Sequence, residues 1–206
     1  APAREWVLQP GDALYLPPGV AHEGVAIGEC ITCSVGFRAP RWQDLVTPWH
    51  AWLEETTRLS GSYADRGLRP TRTPARLPPA MVDAAFGALA RRRPSRSDAE
   101  AMLLRELSEP KPTVVFEVPV RAISQKLFRA RAARRGIVLD LRTRLLYSGR
   151  RAAINGELLP GSLPAPLRRL ADHRLIVGSQ AAHLVETQCG LLYEWYVAGW
   201  VHVLRV

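Results

Sequence analysis

The residue whose type and position best suit it to chemistry is a histidine, His22, which follows two turns in close succession. Residues 9–24 read QPGDALYLPPGVAHEG, so a Pro-Gly turn precedes a short apolar stretch and a Pro-Pro-Gly turn precedes the histidine. Proline fixes φ and glycine permits positive φ, so both turns are rigid and set the direction of the side chain that follows. Because imidazole is the commonest metal ligand in proteins, the segment predicts a metal-binding histidine at position 22.

The spacing of glycine and proline residues before His22 supports this prediction. From Gly11 to His22 the sequence fits G-x5-P-x-G-x2-H, the second motif of the cupin superfamily, and residues 34–40 continue it as SVGFRAP. Together the two segments resemble the JmjC-type ribosomal oxygenases. The resemblance implies a double-stranded β-helix barrel that uses Fe(II) and 2-oxoglutarate to hydroxylate a ribosomal protein. For the bacterial members it implies an arginine side chain of a large-subunit protein as the substrate.

The same resemblance implies two further iron ligands, an H-x-D/E pair upstream of the last histidine. The histidines are His22, His50, His173, His183 and His202. None of them has an acidic residue two positions later, and the chain starts at Ala1 without methionine. We therefore expect the C-terminal part of an enzyme, interrupted within its barrel and inactive by itself. His22 could otherwise cap a strand or fill the mouth of a barrel.

A strand is predicted at residues 29–37, after a shorter one at residues 13–16. Apolar side chains alternate with small or polar ones along the longer strand, so Thr32 and Ser34 share one face. The resemblance implies that this face lines the 2-oxoglutarate pocket near His22, although ordinary strand polarity would give the same pattern. Alternation also places Cys30 and Cys33 on opposite faces, which argues against redox or zinc chemistry at this C-x-x-C sequence.

Composition limits the class of protein. The chain has 206 residues, of which 47% are hydrophobic, and its net charge is +9. No apolar run is long enough to span a membrane, and three cysteines are too few for a disulfide framework, so we expect a cytoplasmic protein. Residues 1–40 are mildly acidic and residues 41–135 strongly basic, which suggests weak contact with ribosomal RNA. With 26 arginines against 2 lysines, the charge could equally be solvated surface.

Helices are predicted after residue 40. Trp42, Trp49 and Trp52 recur at helical spacing, and two more helices are predicted at residues 79–92 and 97–107. We interpret Ser97 and Glu100 as the capping box of the last of these. The resemblance implies that residues 41–112 form a helical dimerisation region. An independent physical argument agrees, because apolar stripes on short helices usually need a partner surface.

The remaining residues, 113–206, alternate short helices and strands. A helix at residues 120–135, a strand at 137–141 and a hairpin at 145–159 with an Asn-Gly turn are followed by helices at 166–173 and 191–198 and a strand at 200–203. This order suggests a winged-helix domain, which the ribosomal oxygenases also carry. Four arginines lie in the first helix at positions 129, 131, 134 and 135. They favour DNA binding by general winged-helix logic, and a docking or structural role by the resemblance.

The predicted fold class is therefore α+β: a partial β-helix barrel at residues 1–40, the helical region and the winged helix. The predicted function is that of an iron- and 2-oxoglutarate-dependent protein hydroxylase. Two alternatives stay open. One is a non-catalytic, cupin-derived module that binds protein or nucleic acid; the other is an ordinary cupin that binds a small molecule. The extended cupin motif H-x3-N has Ala26 at its last position here, which weakens the second alternative.

Overall fold

The structure is a computed structural model that describes residues 4–17, 19–36, 40–64 and 75–204. The chain divides into two compact units, Ala1–Ala39 and Pro40–Val206. Among the described residues, no helix is both long and apolar enough to cross a membrane.

The described residues of the first unit are extended chain interrupted by the two predicted turns. Asp12 N–H donates to the Gln9 carbonyl at 3.0 Å, and the Asp12 carboxylate accepts from Gln9 N–H at 2.8 Å. In the second turn Val20 N–H donates to the Pro17 carbonyl, and Gly19 has φ of +80°. Both turns are thus confirmed.

The prediction of strands at residues 13–16 and 29–37 is wrong for the residues that the structure describes. Within residues 4–17 and 19–36 the backbone forms no ladder of hydrogen bonds, and residue 37 lies outside the described part. Apolar side chains that the pattern assigned to a packed face are exposed, Ile31 to 95%. A strand needs a neighbour that takes up its N–H and C=O groups, and alternation of residue types does not supply one.

The helices predicted after residue 40 are present. A 3-10 turn, Trp42–Leu45, leads into α1, Val46–Thr56, and is followed by α2, Pro79–Ala90, and α3, Arg96–Ser108. The tryptophans do not share one environment. Trp52 is buried against α3 and Trp49 packs beside it, whereas Trp42 is 85% exposed.

The capping box of α3 lies two residues before its predicted position. Ser95 is the N-cap: its hydroxyl accepts from Asp98 N–H, and the Asp98 carboxylate accepts from Ser95 N–H at 2.9 Å. Arg92 also donates to Asp98 at 2.6 Å, and Trp52 Nε1 does so at 3.4 Å. The hydrogen bonds from Arg92, followed by those from Ser95, hold the pKa of Asp98 well below its ordinary value, against the opposing effect of burial.

Asp98→Asn should therefore destabilise the protein at neutral pH by about 2 kcal/mol, since it weakens a helix cap and a charge-assisted bond together. Because the folded state lowers the pKa of Asp98, the carboxylate stabilises the fold above its ordinary pKa of about 3.9 and loses that effect as pH falls further. Urea unfolding at pH 7 and at pH 3 measures both effects. Asp83→Asn, at an exposed position on α2, is the control and should change neither.

The C-terminal part of the second unit contains two small antiparallel sheets and four helices. In the first sheet β1, Ile137–Leu139, lies between β5, Leu175–Ile176, and β6, Val201–Val203. The second sheet is a meander of β2, Leu145–Ser148, β3, Arg151–Ile154, and β4, Glu157–Leu158. The helices are α4, Gln125–Arg135, α5, Ala165–His173, α6, Gly178–Ala181, and α7, Glu186–Val197.

The two sheets and these helices share one core. Its fully buried side chains include Phe128, Ile137, Ile154, Leu167, Leu170, Leu192 and Val201. The predicted Asn-Gly turn connects β3 to β4, with φ of 48° at Asn155 and 88° at Gly156. These positive values match the type I′ turn that such a sequence favours.

Helix α3 packs onto the meander. The Ser108 hydroxyl is fully buried, accepts from Gly156 N–H at 3.0 Å and donates to the Arg105 carbonyl at 3.1 Å. Near the other end of the helix, Ser97 accepts from Arg151 of β3 at 2.8 Å. Helix and meander are thus joined by hydrogen bonds at both ends of their contact.

Candidate functional site

The turn at Pro17 and Val20 fixes the orientation of the His22 ring. His22 Nδ1 lies 3.0 Å from the Val20 carbonyl oxygen. A carbonyl oxygen can only accept, so Nδ1 carries the proton, and in the neutral ring Nε2 keeps its lone pair. Histidines that bind metals commonly hold their second nitrogen in this way, by donating to a backbone carbonyl. The ring is exposed, so Nε2 is accessible to a metal ion.

One imidazole is not a metal site. Among the described residues no group of three or more His, Cys, Asp or Glu side chains is placed to hold a metal ion. The ring of His22 thus has the chemistry of an iron ligand, but the described residues do not provide the two further ligands of a facial triad. No step of an oxygenase reaction follows from these residues alone.

The other predicted site residues are exposed and separate. Thr32 and Ser34 are exposed, and no described hydrogen bond joins either hydroxyl to His22. Cys30 and Cys33 are free and exposed. No hydrogen bond among the described residues therefore links the three predicted site residues.

A cleft in the second unit was not predicted from any sequence pattern. It has a volume of about 730 Å³ and lies between the chain at residues 117–123, α4 and β6. Arg131 and Arg135 of α4 and His202 of β6 line it. His202 Nε2 lies 3.0 Å from the Asp140 carboxylate, which also accepts from Arg142 N–H. Burial opposes ionisation of Asp140, but these hydrogen bonds outweigh it and lower its pKa.

Comparison with known proteins bears on the first unit most directly. Residues 1–45 match the model of the JmjC domain. Over 76 residues the chain is 37% identical to the ribosomal protein uL16 3-hydroxylase of Escherichia coli strain K12, an alignment that covers 37% of this chain and 20% of that protein. The predicted resemblance to the JmjC-type ribosomal oxygenases is confirmed. A probable ribosomal oxygenase of Haemophilus influenzae is 48% identical over 40 residues, which are 19% of this chain and 10% of that protein.

Solved structures extend the likeness to the fold of most of the chain. The ribosomal oxygenase YcfD from Escherichia coli aligns with a TM-score of 0.63 at 17% identity, over 82% of this chain and 48% of that one. A second structure of YcfD, in complex with cobalt and 2-oxoglutarate, gives the same score and identity over 82% of this chain and 47% of that one. The chain thus spans about half the length of these structures and a fifth or less of the curated relatives it matches.

Proposed function

We propose that this chain contributes the last iron-binding histidine, His22, to a 2-oxoglutarate-dependent oxygenase. The proposed substrate of this enzyme is an arginine side chain of a large-subunit ribosomal protein. The observation that carries the proposal is the orientation of His22, whose Nδ1 is held by a carbonyl while Nε2 forms no hydrogen bond with a described residue. The JmjC match over residues 1–45 surrounds this histidine, and the relatives are named as a uL16 hydroxylase and a probable ribosomal oxygenase.

The proposal assigns roles to the residues near His22. An H-x-D/E pair outside residues 1–206 supplies the other two iron ligands. Thr32 and Ser34 donate hydrogen bonds to 2-oxoglutarate once the remaining strands of the barrel pair with residues 29–36. Bound iron and 2-oxoglutarate would supply the oxidation chemistry; the chain's own part is to orient one ligand and to help hold the co-substrate.

The proposed activity is tested with a polypeptide that joins the predicted H-x-D/E pair to residues 1–206. It is incubated with Fe(II), 2-oxoglutarate and isolated large-subunit ribosomal proteins, and the proteins are analysed by mass spectrometry. One added oxygen atom on an arginine, dependent on 2-oxoglutarate, is the expected result. Absence of any modified ribosomal protein, with 2-oxoglutarate unconsumed, would contradict the proposal.

We also propose that residues 41–112 make the protein a homodimer. The support is α2, on which Val82, Phe86 and Leu89 lie along one face and are exposed, Phe86 to 73%. An apolar face of this kind is usually covered by another surface.

Phe86→Arg is expected to convert the dimer to a monomer at micromolar concentration, because it places a charge in the centre of the apolar face. Light scattering gives the mass of each form. Ala84→Arg adds the same side chain on the opposite side of α2 and should leave the dimer intact. A wild-type protein that is monomeric, or a Phe86→Arg variant that stays dimeric, would remove α2 from the interface.

The C-terminal residues, 113–206, are proposed to form a winged-helix domain that docks protein and touches ribosomal RNA only weakly. The arginines of α4 support weak contact, because they do not form one surface. Arg129 pairs with Glu186 at 2.9 Å, whereas Arg131 and Arg135 line the cleft.

Binding of the chain to nucleic acid should accordingly be weak, independent of sequence and strongly reduced by salt. Fluorescence anisotropy with a ribosomal RNA duplex and an unrelated DNA duplex, each at low and physiological salt, measures this. Selective binding to one DNA sequence that survives physiological salt would favour the alternative, a non-catalytic binding module. The lack of a three-ligand group among the described residues is the observation that keeps this alternative open.

The proposed cellular location is the cytoplasm, where ribosomal proteins are found. With 3 cysteines, all of them free in the structure, the chain does not depend on an oxidising compartment.

A further inference from the structure

The cleft beside β6 is covered on one side by residues 117–120, the roof segment, and contacts at both ends hold this segment in place. At one end Arg142 donates to the Val115 carbonyl at 2.7 Å. The ring of Phe116 meets that of Trp200 edge-on, with centroids 6.3 Å apart. At the other end the Tyr193 hydroxyl donates to the Ile123 carbonyl at 2.9 Å. Residues 117–120 between these anchors line the cleft, so its roof is a fixed part of the fold.

The roof segment also approaches the backbone at Gly199 closely, and this approach depends on the residue type there. Gly199 has φ of +77°, and a Cβ atom there would lie 2.7 Å from the Glu117 carbonyl oxygen. Only glycine therefore lets the roof segment approach the chain that enters β6.

The strand that borders the cleft has an available edge. β6 pairs with β1 on one side and ends the sheet on the other, within the described residues. Asp140 N–H donates to the Trp200 carbonyl and Leu204 N–H to the Gly136 carbonyl. Since hydrogen-bonded pairs alternate in an antiparallel ladder, the intervening Val201 and Val203 direct their N–H and C=O groups away from β1. Val201 is fully buried, whereas Val203 is half-buried and lines the cleft, so the backbone groups of Val203 can pair with an extended chain there.

The charges in the cleft are not balanced. Arg131 and Arg135 lie one turn apart on α4, and neither forms an ion pair with a described carboxylate. The acidic residue of the lining, Glu117, is 3.6 Å from Arg142, and His202 is held by Asp140. Two guanidinium groups therefore face the cleft without a counter-charge among the described residues.

The rest of the cleft lining is apolar, which favours a peptide over a nucleic acid as the ligand. The apolar lining residues are Val118, Pro119, Val120, Ile123, Val138, Val203 and Leu204. A phosphate backbone favours open, continuously basic surfaces, whereas a groove with apolar walls and a free strand edge is typical of peptide recognition.

We propose that this cleft binds an extended, acidic segment of a partner protein, which hydrogen-bonds to the backbone of Val203 at the edge of β6 and places its carboxylates against Arg131 and Arg135. Apolar side chains of the segment, alternating with the acidic ones, contact the roof residues. This inference is independent of the proposed oxygenase function, since it involves neither His22 nor the first unit.

The test uses the full chain and a fluorescent, capped peptide of alternating valine and glutamate. Binding measured by anisotropy should weaken at least about tenfold in the double variant Arg131→Glu/Arg135→Glu, because two attractive contacts become repulsive. Arg134→Glu makes the same charge change on α4 outside the cleft and should have little effect. Hydrogen exchange at the Val203 amide should slow when the peptide binds.

Other outcomes overturn the proposal. A valine–lysine peptide that binds as tightly as the valine–glutamate one would remove the role of the arginines. Binding of an RNA oligonucleotide with loss in the double variant, but no binding of the acidic peptide, would assign the cleft to nucleic acid. Unchanged exchange at Val203 in a saturated complex would show that the peptide does not pair with β6.

Discussion

Replacing His22 with alanine is expected to abolish iron retention and hydroxylation in the polypeptide that also carries the predicted H-x-D/E pair. Three protein ligands hold the metal in a facial triad, and the loss of one leaves two ligands and an additional water. Because the ring is exposed and its one hydrogen bond to a described residue is to the Val20 carbonyl, its removal should not disturb folding. Activity and metal content should fall together while the circular dichroism spectrum stays unchanged.

Metal content per chain after gel filtration and consumption of 2-oxoglutarate are the two measurements. His50→Ala is the matched control, since His50 is also exposed but lies on α1 in the second unit. Residues 1–206 alone, with wild-type His22, should show no turnover of 2-oxoglutarate. Iron content equal to wild type in the His22→Ala variant would exclude His22 from the site.

Gly136→Ala should strongly destabilise the second unit, with a loss of about 3 kcal/mol or more in the free energy of unfolding. Gly136 ends α4 with φ of 97° and ψ of 176°, a conformation that only glycine adopts readily. A Cβ atom there would also lie 2.5 Å from the Ile176 carbonyl oxygen of β5. The glycine therefore permits both the chain reversal and the packing of α4 against the sheet.

Urea unfolding measures this loss, and Gly161→Ala separates its two causes. Gly161 also has positive φ, 77°, but a Cβ atom there would have no neighbour within 4 Å. Its substitution should cost only the backbone strain, about 1 kcal/mol. Equal losses at the two positions would show that the contact with Ile176 is relieved by a small shift of the chain.

What could be predicted from the sequence depends on how local the determining interactions are. The helices after residue 40 and the Asn-Gly turn follow from residue spacing and turn preference, and all of them form. The capping box was misplaced because Ser95 and Ser97 are each followed three residues later by an acid, and only the contacts of Asp98 with Arg92 and Trp52 decide between them.

Interactions between distant residues could not be anticipated in the same way. His202 and Asp140 are 62 positions apart, and no local pattern indicates that the β1–β6 ladder brings them together. The prediction of strands at 13–16 and 29–37 was wrong for a related reason. Alternation of residue types indicates which side chains a strand would bury, but not which strand would pair with it. The orientation of His22, in contrast, depends on a contact two residues away, and the turn that the sequence indicated provides it.

The buried Ser108 hydroxyl has a consequence for any attempt to divide the protein experimentally. It joins α3 to the Asn155–Gly156 turn, and Leu158 of β4 packs on the cluster formed by Trp52, Ala101 and Met102. The helical residues thus use the meander as one wall of their own core. A truncation after residue 112 would leave that cluster open to water, so the shortened chain would tend to aggregate. Its loss of activity would then reflect failed folding rather than the absence of a docking function.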